Sequence, residues 1–372
     1  MTALGSPTIP LTVERRIDVI NVLRGFAALL VCLFHVRQMV WVGLPATWRA
    51  HGLALQPDVL LAYALAPVSF GSIGVSIFFV ISGYVIHDRA ARGLAAGGDA
   101  PLDTGRFLAR RAIRIYPTLV LALLLTLACD SLSKAITPGL YLGDADARTA
   151  LINLAALQGV FARPFGSNTA LWSLAVELQF YLVYPLALWV RRRVGGAWML
   201  ALAAAVSLGG YLVLERNGLT AFPQYYLAWW IGAYVAERQA EGRMAPRPLL
   251  FGSAMIAAGC AAHLAGAGYA AFILWALGFA PLLLVLVQRT REGSPPRGLV
   301  AAGLAKLSPF SYSLYSVHMP MIVLIRALVF GGAQQDDILV ALAVCAVLVA
   351  AARGLYEIAE KPSVAYVARM RR

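Results

Sequence analysis

Ten separate runs of predominantly apolar residues set the limits on what this chain can fold into. They lie at 18–42, 70–87, 113–132, 170–190, 197–214, 222–236, 249–266, 270–288, 311–330 and 337–356. A helix that crosses a bilayer needs about 20 such residues in succession. Irregular backbone or an open sheet in lipid would leave peptide groups without partners, so runs of this length read as spanning helices. The expected fold class is therefore all-α: a polytopic integral membrane helical bundle of about ten transmembrane helices. Only 13% of the 372 residues are charged and 60% are hydrophobic, whereas soluble domains carry about a quarter charged residues. No polar domain or long linker interrupts the pattern. The chain reads as a single membrane domain over 1–372, with short tails at 1–17 and 357–372 and no extra soluble domain. The apolar stretch 149–162 is too short to span and reads as an interfacial or re-entrant piece. The first run is too long for the apolar core of a cleavable signal peptide and lacks a small-residue cleavage site.

The net charge of +13 does not point to nucleic acid, because no basic face carries interleaved aromatics. The positive charge sits in short blocks between the apolar runs. With both termini on one side, 23 of the 31 Lys and Arg fall in segments on that side and 5 on the other. Positive residues stay on the cytoplasmic face, so both termini are expected in the cytoplasm. No internal repeat of the kind that builds many transporters is evident. The four cysteines, Cys32, Cys129, Cys260 and Cys345, each lie alone in an apolar run and read as small buried hydrophobes. No metal site is implied.

Ionisable residues within spans are costly, so each one is a functional candidate. Arg24 and His35 lie eleven residues apart in the first run. At about 100° per residue they share a helix face, roughly 16 Å apart along the axis. A long thin ligand, anionic at one end and reactive at the other, fits that spacing, as a coenzyme A thioester does. Ser82, Gly83 and Tyr84 end the run Gly-Val-Ser-Ile-Phe-Phe-Val-Ile-Ser-Gly-Tyr, where close helix approach and substrate lining are both open readings. Arg111 and Arg114 share a face three residues apart. They read either as a phosphate-binding fork or as the positive flank of the third span. Ser173 and Glu177 also share a face, and Glu177 is expected to be the one carboxylate well inside a span, with His35 or an arginine as its partner. His318 falls within the ninth run among hydroxyl residues and, with Ser82, Tyr84 and Ser173, is expected to line the substrate site.

Five blocks, LRGFAALLVCLFH, GVSIFFVISGY, RRAIRIYP, LWSLAVELQFYLVYP and SYSLYSVHMP, together resemble the acyltransferase 3 family of bacterial inner-membrane O-acyltransferases and follow one another in family order. They cover the first half of the chain and the ninth run. The resemblance implies a ten-helix core that takes an acyl group, commonly acetyl, from cytoplasmic acyl-CoA. The acceptor it implies is a hydroxyl of a surface or lipid-linked carbohydrate. By position, His35 matches the family's essential histidine, Arg24 its paired cation, and Arg111 with Arg114 the Arg-x-x-Arg element. Asn21 stands where an Asp is common, Tyr84 where a Phe is usual, and Glu177-Leu178 replaces a frequent Glu-Glu. The chain stops soon after the tenth run, so the hydrolase-like periplasmic domain of some members is not expected, and the acceptor is expected to reach the membrane core directly.

The site implied has His35 as general base, oriented by Glu177, with a transient acyl-imidazole on His35 left open by the sequence, and with Arg24, Arg111 and Arg114 holding the anionic parts of acetyl-CoA or another acyl-CoA. The expected partners are acyl-CoA, the carbohydrate and membrane lipid. Two other readings remain open: a transporter or flippase with a charged pathway, and acylation of a lipid or secondary metabolite.

Overall fold

In the computed structural model, residues 13–98, 101–139, 142–243 and 247–370 are described. Ten long helices correspond one to one with the ten apolar runs. They are α1 (Val13–Val40), α2 (Ile73–Ala95), α3 (Thr104–Ile136), α4 (Leu171–Val194), α5 (Gly196–Leu214), α6 (Phe222–Ala240), α7 (Pro248–Leu264), α8 (Gly268–Arg291), α9 (Ser311–Phe330) and α10 (Ile338–Leu355). Among the described residues there is no β-strand beyond isolated bridges, one of which joins Trp41 to Gln335. Eight of the helical stretches are long and apolar enough to cross a membrane. The other two expected spans, α6 and α7, form helices that do not meet both conditions. α7 is 17 residues long, and α6 carries Glu237 and Arg238. The large apolar side chains of α6 turn inward instead, and Trp229 and Trp230 are fully buried. Exposed Leu182, Leu186 and Trp198 face outward as lipid-covered side chains do.

Close helix crossings rest on small residues. A Cβ added at Gly83 of α2 would collide with the Trp229 carbonyl oxygen of α6, and one at Gly232 of α6 with the Val80 carbonyl oxygen of α2. This reciprocal glycine contact brings the two backbones together, as membrane interfaces favour. Close approach, one of the two readings of the Ser82-Gly83 pair, is therefore realised.

Several boundaries differ from expectation for local reasons. α3 starts nine residues early, because Asp103 caps it by accepting the Arg106 amide proton at 2.9 Å. Arg111 and Arg114 are thus inside the helix rather than in a flank. The expected C-terminal tail is also helical: α10 passes through a π-helical turn at Tyr356–Glu360 into a helix at Lys361–Arg369. Residues 1–12 of the expected N-terminal tail lie outside the described residues. The 149–162 piece forms an eight-residue helix, Ala147–Leu154, followed by turns.

In α9, Pro320 has no N–H to give the Ser316 carbonyl. The Asn168 side chain donates to that oxygen at 2.8 Å instead. Ser167, next to Asn168, donates to Asp130 of α3 through its backbone N–H at 2.8 Å and its hydroxyl at 2.6 Å. The loop before α4 thereby clamps α3 to the middle of α9.

Candidate active site

Five helices, α1, α2, α3, α4 and α9, enclose a cavity of about 530 Å³ in the half of the bundle that holds the N-terminal part of α1. Seven of the nine residues singled out from the sequence line it: Arg24, Ser82, Tyr84, Arg111, Arg114, Ser173 and Glu177. Residues separated by up to 153 positions meet there because each sits on the inward face of its own helix.

Two of the three arginines, Arg24 and Arg111, are held in different ways. Arg24 donates to the Ser311 hydroxyl at 3.2 Å. Asn21, one turn earlier, accepts from Ser308 at 3.0 Å, so the position where an acid is common here carries a neutral acceptor. The Arg111 guanidinium lies 5.4 Å from the Tyr181 ring centre and 5.6 Å from that of Phe107. Aromatic faces at this distance attract a guanidinium through the ring quadrupole.

Glu177 is hydrogen-bonded by hydroxyls rather than by His35, and of the expected arginines Arg24 lies within its electrostatic reach. The Glu177 Oε1 accepts from Ser82 at 3.0 Å and, in a short bond, from Tyr181 one turn along α4. Ser82 in turn accepts from Trp229 Nε1 at 3.2 Å. Two hydroxyl donors replace some of the hydration a carboxylate loses in a protein interior. His35 bonds to neither Glu177 nor an arginine; its Nδ1 lies 3.0 Å from Nε2 of His318. The physical reason is axial position. His35 is three turns beyond Arg24, past the end of the cavity, where α9 presents His318.

His35 and His318 therefore do not line the cavity. His318 is fully buried, which corrects the expectation that it lines the substrate site. Tyr315 stands between pair and cavity. It lines the cavity, shares a 2.5 Å hydrogen bond with Ser173, and places its ring 5.7 Å from both His318 and Phe78. Tyr84 lines the cavity too, with its hydroxyl 2.7 Å from the Gln239 amide.

Glu177 is not alone among carboxylates inside the bundle. Asp130, Glu237 and Glu360 are also buried. Glu237 is held by both forks of Arg191, at 2.7 and 2.9 Å, and by His87 at 2.9 Å, which ties α2, α4 and α6 together. Glu360 accepts from the Ser313 amide and hydroxyl at 3.1 and 2.7 Å and lies within electrostatic reach of Arg114 and Arg24. In the sequence Glu360 sits among Glu357 and Lys361 and reads as a solvated tail. Nothing local marks it, because the π-helical turn that buries it is a tertiary feature. Tyr181 did carry a signal, standing four residues after Glu177 on the same face.

A multi-pass helical membrane bundle with an arginine-lined cavity at one end and a histidine pair beyond it is the class of protein these features define. The family model of the acyltransferase domain, Acyl_transf_3, matches residues 17–356, and the chain belongs to that family. It is 28% identical over 221 residues to Nodulation protein 10 of Rhizobium leguminosarum bv. viciae, covering 54% of this chain and 52% of that protein. It is 35% identical over 126 residues to the putative peptidoglycan O-acetyltransferase YrhL of Bacillus subtilis (strain 168), covering 32% and 19% respectively. An O-acetyl transferase of Shigella phage Sf6 is 29% identical over 211 residues, covering 50% of this chain and 56% of that protein. The chain thus spans about half or less of the length of these curated relatives. No solved structure matches it.

Proposed function

We propose that the chain is a membrane-bound O-acyltransferase that moves an acyl group, acetyl foremost, from cytoplasmic acyl-CoA to a hydroxyl of a cell-surface or lipid-linked carbohydrate. The observation that carries this reading is the joint placement of Arg24, Arg111 and Arg114 in one cavity that ends just short of the His35–His318 pair. Guanidinium forks suit the diphosphate of coenzyme A, and the acyl end of the donor would have to pass the Ser173–Tyr315 contact to reach His35. The charge asymmetry of the connecting segments supports entry from the cytoplasm of a bacterial inner membrane. The relatives named O-acetyltransferases support acetyl as the group, and the one named for peptidoglycan supports a carbohydrate acceptor.

In the reaction proposed, His35 takes the proton of the acceptor hydroxyl as its oxygen attacks the thioester carbonyl carbon. The carbon–sulfur bond then breaks, and the departing coenzyme A thiolate takes that proton back from the imidazolium. Atoms and charge balance with no further reactant. Glu177 serves the donor side, two hydroxyls away from free movement, rather than orienting His35.

The test is His35→Ala. Loss of a general base costs about 10²–10⁴-fold in rate, while the helix is held by many neighbours and the protein should remain folded. Acetyl transferred per molecule of detergent-stable protein should fall by that amount. Near wild-type transfer per molecule would remove His35 from the mechanism, whereas no transfer by the wild-type protein would favour a transport function.

A further inference from the structure

His35 and His318 form more than a contact, because the bonds around them have a forced direction. Nδ1 of His318 lies 3.1 Å from the Leu314 carbonyl oxygen. A carbonyl only accepts, so Nδ1 of His318 carries the proton. A neutral imidazole has one N–H, which leaves Nε2 of His318 as an acceptor. That nitrogen is the one 3.0 Å from Nδ1 of His35, so the proton between the rings belongs to His35 Nδ1. The lone pair of His35 is then on Nε2, the nitrogen pointing away from the pair. Both rings are neutral in this chain of bonds. His318 is fully buried, its two nitrogens face a carbonyl and a second imidazole rather than a carboxylate, and an unpaired buried cation is costly.

The surroundings keep His318 in that orientation. The Tyr315 ring lies against it at 5.7 Å between ring centres. The next turn of α9 is held by the Asn168 bond to the carbonyl that Pro320 frees. The acceptor atom that His318 offers therefore sits on a braced element.

We propose that His318 is a positioning residue that fixes the tautomer of His35, so that Nε2 of His35 is the nitrogen that takes the acceptor proton. This rests on the acyltransferase reading above for its chemical purpose, though the tautomer itself does not. The wrong tautomer would present an N–H to the hydroxyl, which has to lose its own proton, and general-base assistance would vanish in that population. Leucine at 318 removes the imidazole acceptor and leaves His35 its backbone contact with Val31, one turn back on α1; glutamine restores a carbonyl acceptor near the place of Nε2.

Three measurements test it. With His35 assigned by comparison with the His35→Ala variant, ¹⁵N-histidine spectra of the detergent-solubilised protein should show it protonated on Nδ1. With acetyl-CoA as donor, His318→Leu should lower kcat on the order of 10²-fold while KM for acetyl-CoA stays within about twofold. His318→Gln should regain about tenfold or more of that kcat, which a merely structural histidine would not show. Protonation of His35 on Nε2 in the wild-type protein would overturn the proposal, and this result does not depend on any variant folding or on turnover. Equal kcat in the Leu and Gln variants would also overturn it. A wild-type protein with the Nδ1 tautomer but no acetyl transfer would defeat the acyltransferase reading and leave the tautomer assignment standing.

Discussion

Ser173 of α4 and Tyr315 of α9 share a 2.5 Å hydroxyl–hydroxyl hydrogen bond at the end of the arginine-lined cavity. It is the contact that separates the cavity from the histidine pair. Leaving one buried hydroxyl without its partner costs about 1–3 kcal/mol. Ser173→Ala and Tyr315→Phe are each expected to lower the thermal stability of the solubilised protein by an amount in that range. The double variant should lose less than the sum, because the second substitution removes a group that has already lost this partner. Strict additivity in the unfolding midpoints would show that the two hydroxyls do not depend on each other.

The aromatic shelf under Arg111 separates charge from shape. Arg111→Lys keeps the positive charge but loses the planar fork that rests against Phe107 and Tyr181. Charge-assisted hydrogen bonds contribute about 1.5–3 kcal/mol each, so KM for acyl-CoA should rise by about tenfold or more in Arg111→Lys, and likewise in Arg114→Ala. Arg106, exposed and paired with Asp103 at 3.7 Å, is the control and should leave KM unchanged when replaced by alanine. A lysine at 111 that keeps the wild-type KM would mean that charge alone is required there.

The α2–α6 crossing is intolerant of a single methyl group. Gly232→Ala places a Cβ against the Val80 carbonyl oxygen, and both backbones would have to part to admit it. Overpacking of this kind typically costs about 1–3 kcal/mol and more where backbone must move. The expected result is a strong fall in the yield of monodisperse protein. Gly209, where a Cβ meets nothing, should accept alanine with a normal yield. Equal yields for the two would show that α2 and α6 pack less closely.

Orientation follows from charge placement and is open to a direct check. A reporter active only in the periplasm, fused after Arg372, is expected to stay silent, because 23 of the 31 Lys and Arg lie on the side of the termini. A strong signal would reverse the orientation and with it the cytoplasmic entry of the donor.

What the sequence by itself determined is the set of ten helices and the face that each residue occupies. Spanning is a property of about 20 consecutive residues, and Arg24 with His35, or Ser173 with Glu177, share a face by helical period alone. The five ordered blocks were enough to indicate the family. Partners were another matter. His35 and His318 are 283 positions apart, and Ser82 reaches Glu177 across 95. Which side chains meet depends on how far each helix slides along its neighbour, and glycine contacts such as Gly83 against Trp229 set that slide. Only the tertiary structure decided that Glu177 belongs to the cavity with Tyr181 while His35 stands beyond it with His318. Only that structure buried Glu360, because hydrogen-bond partners in a bundle come from helices whose relative register no single stretch of sequence records.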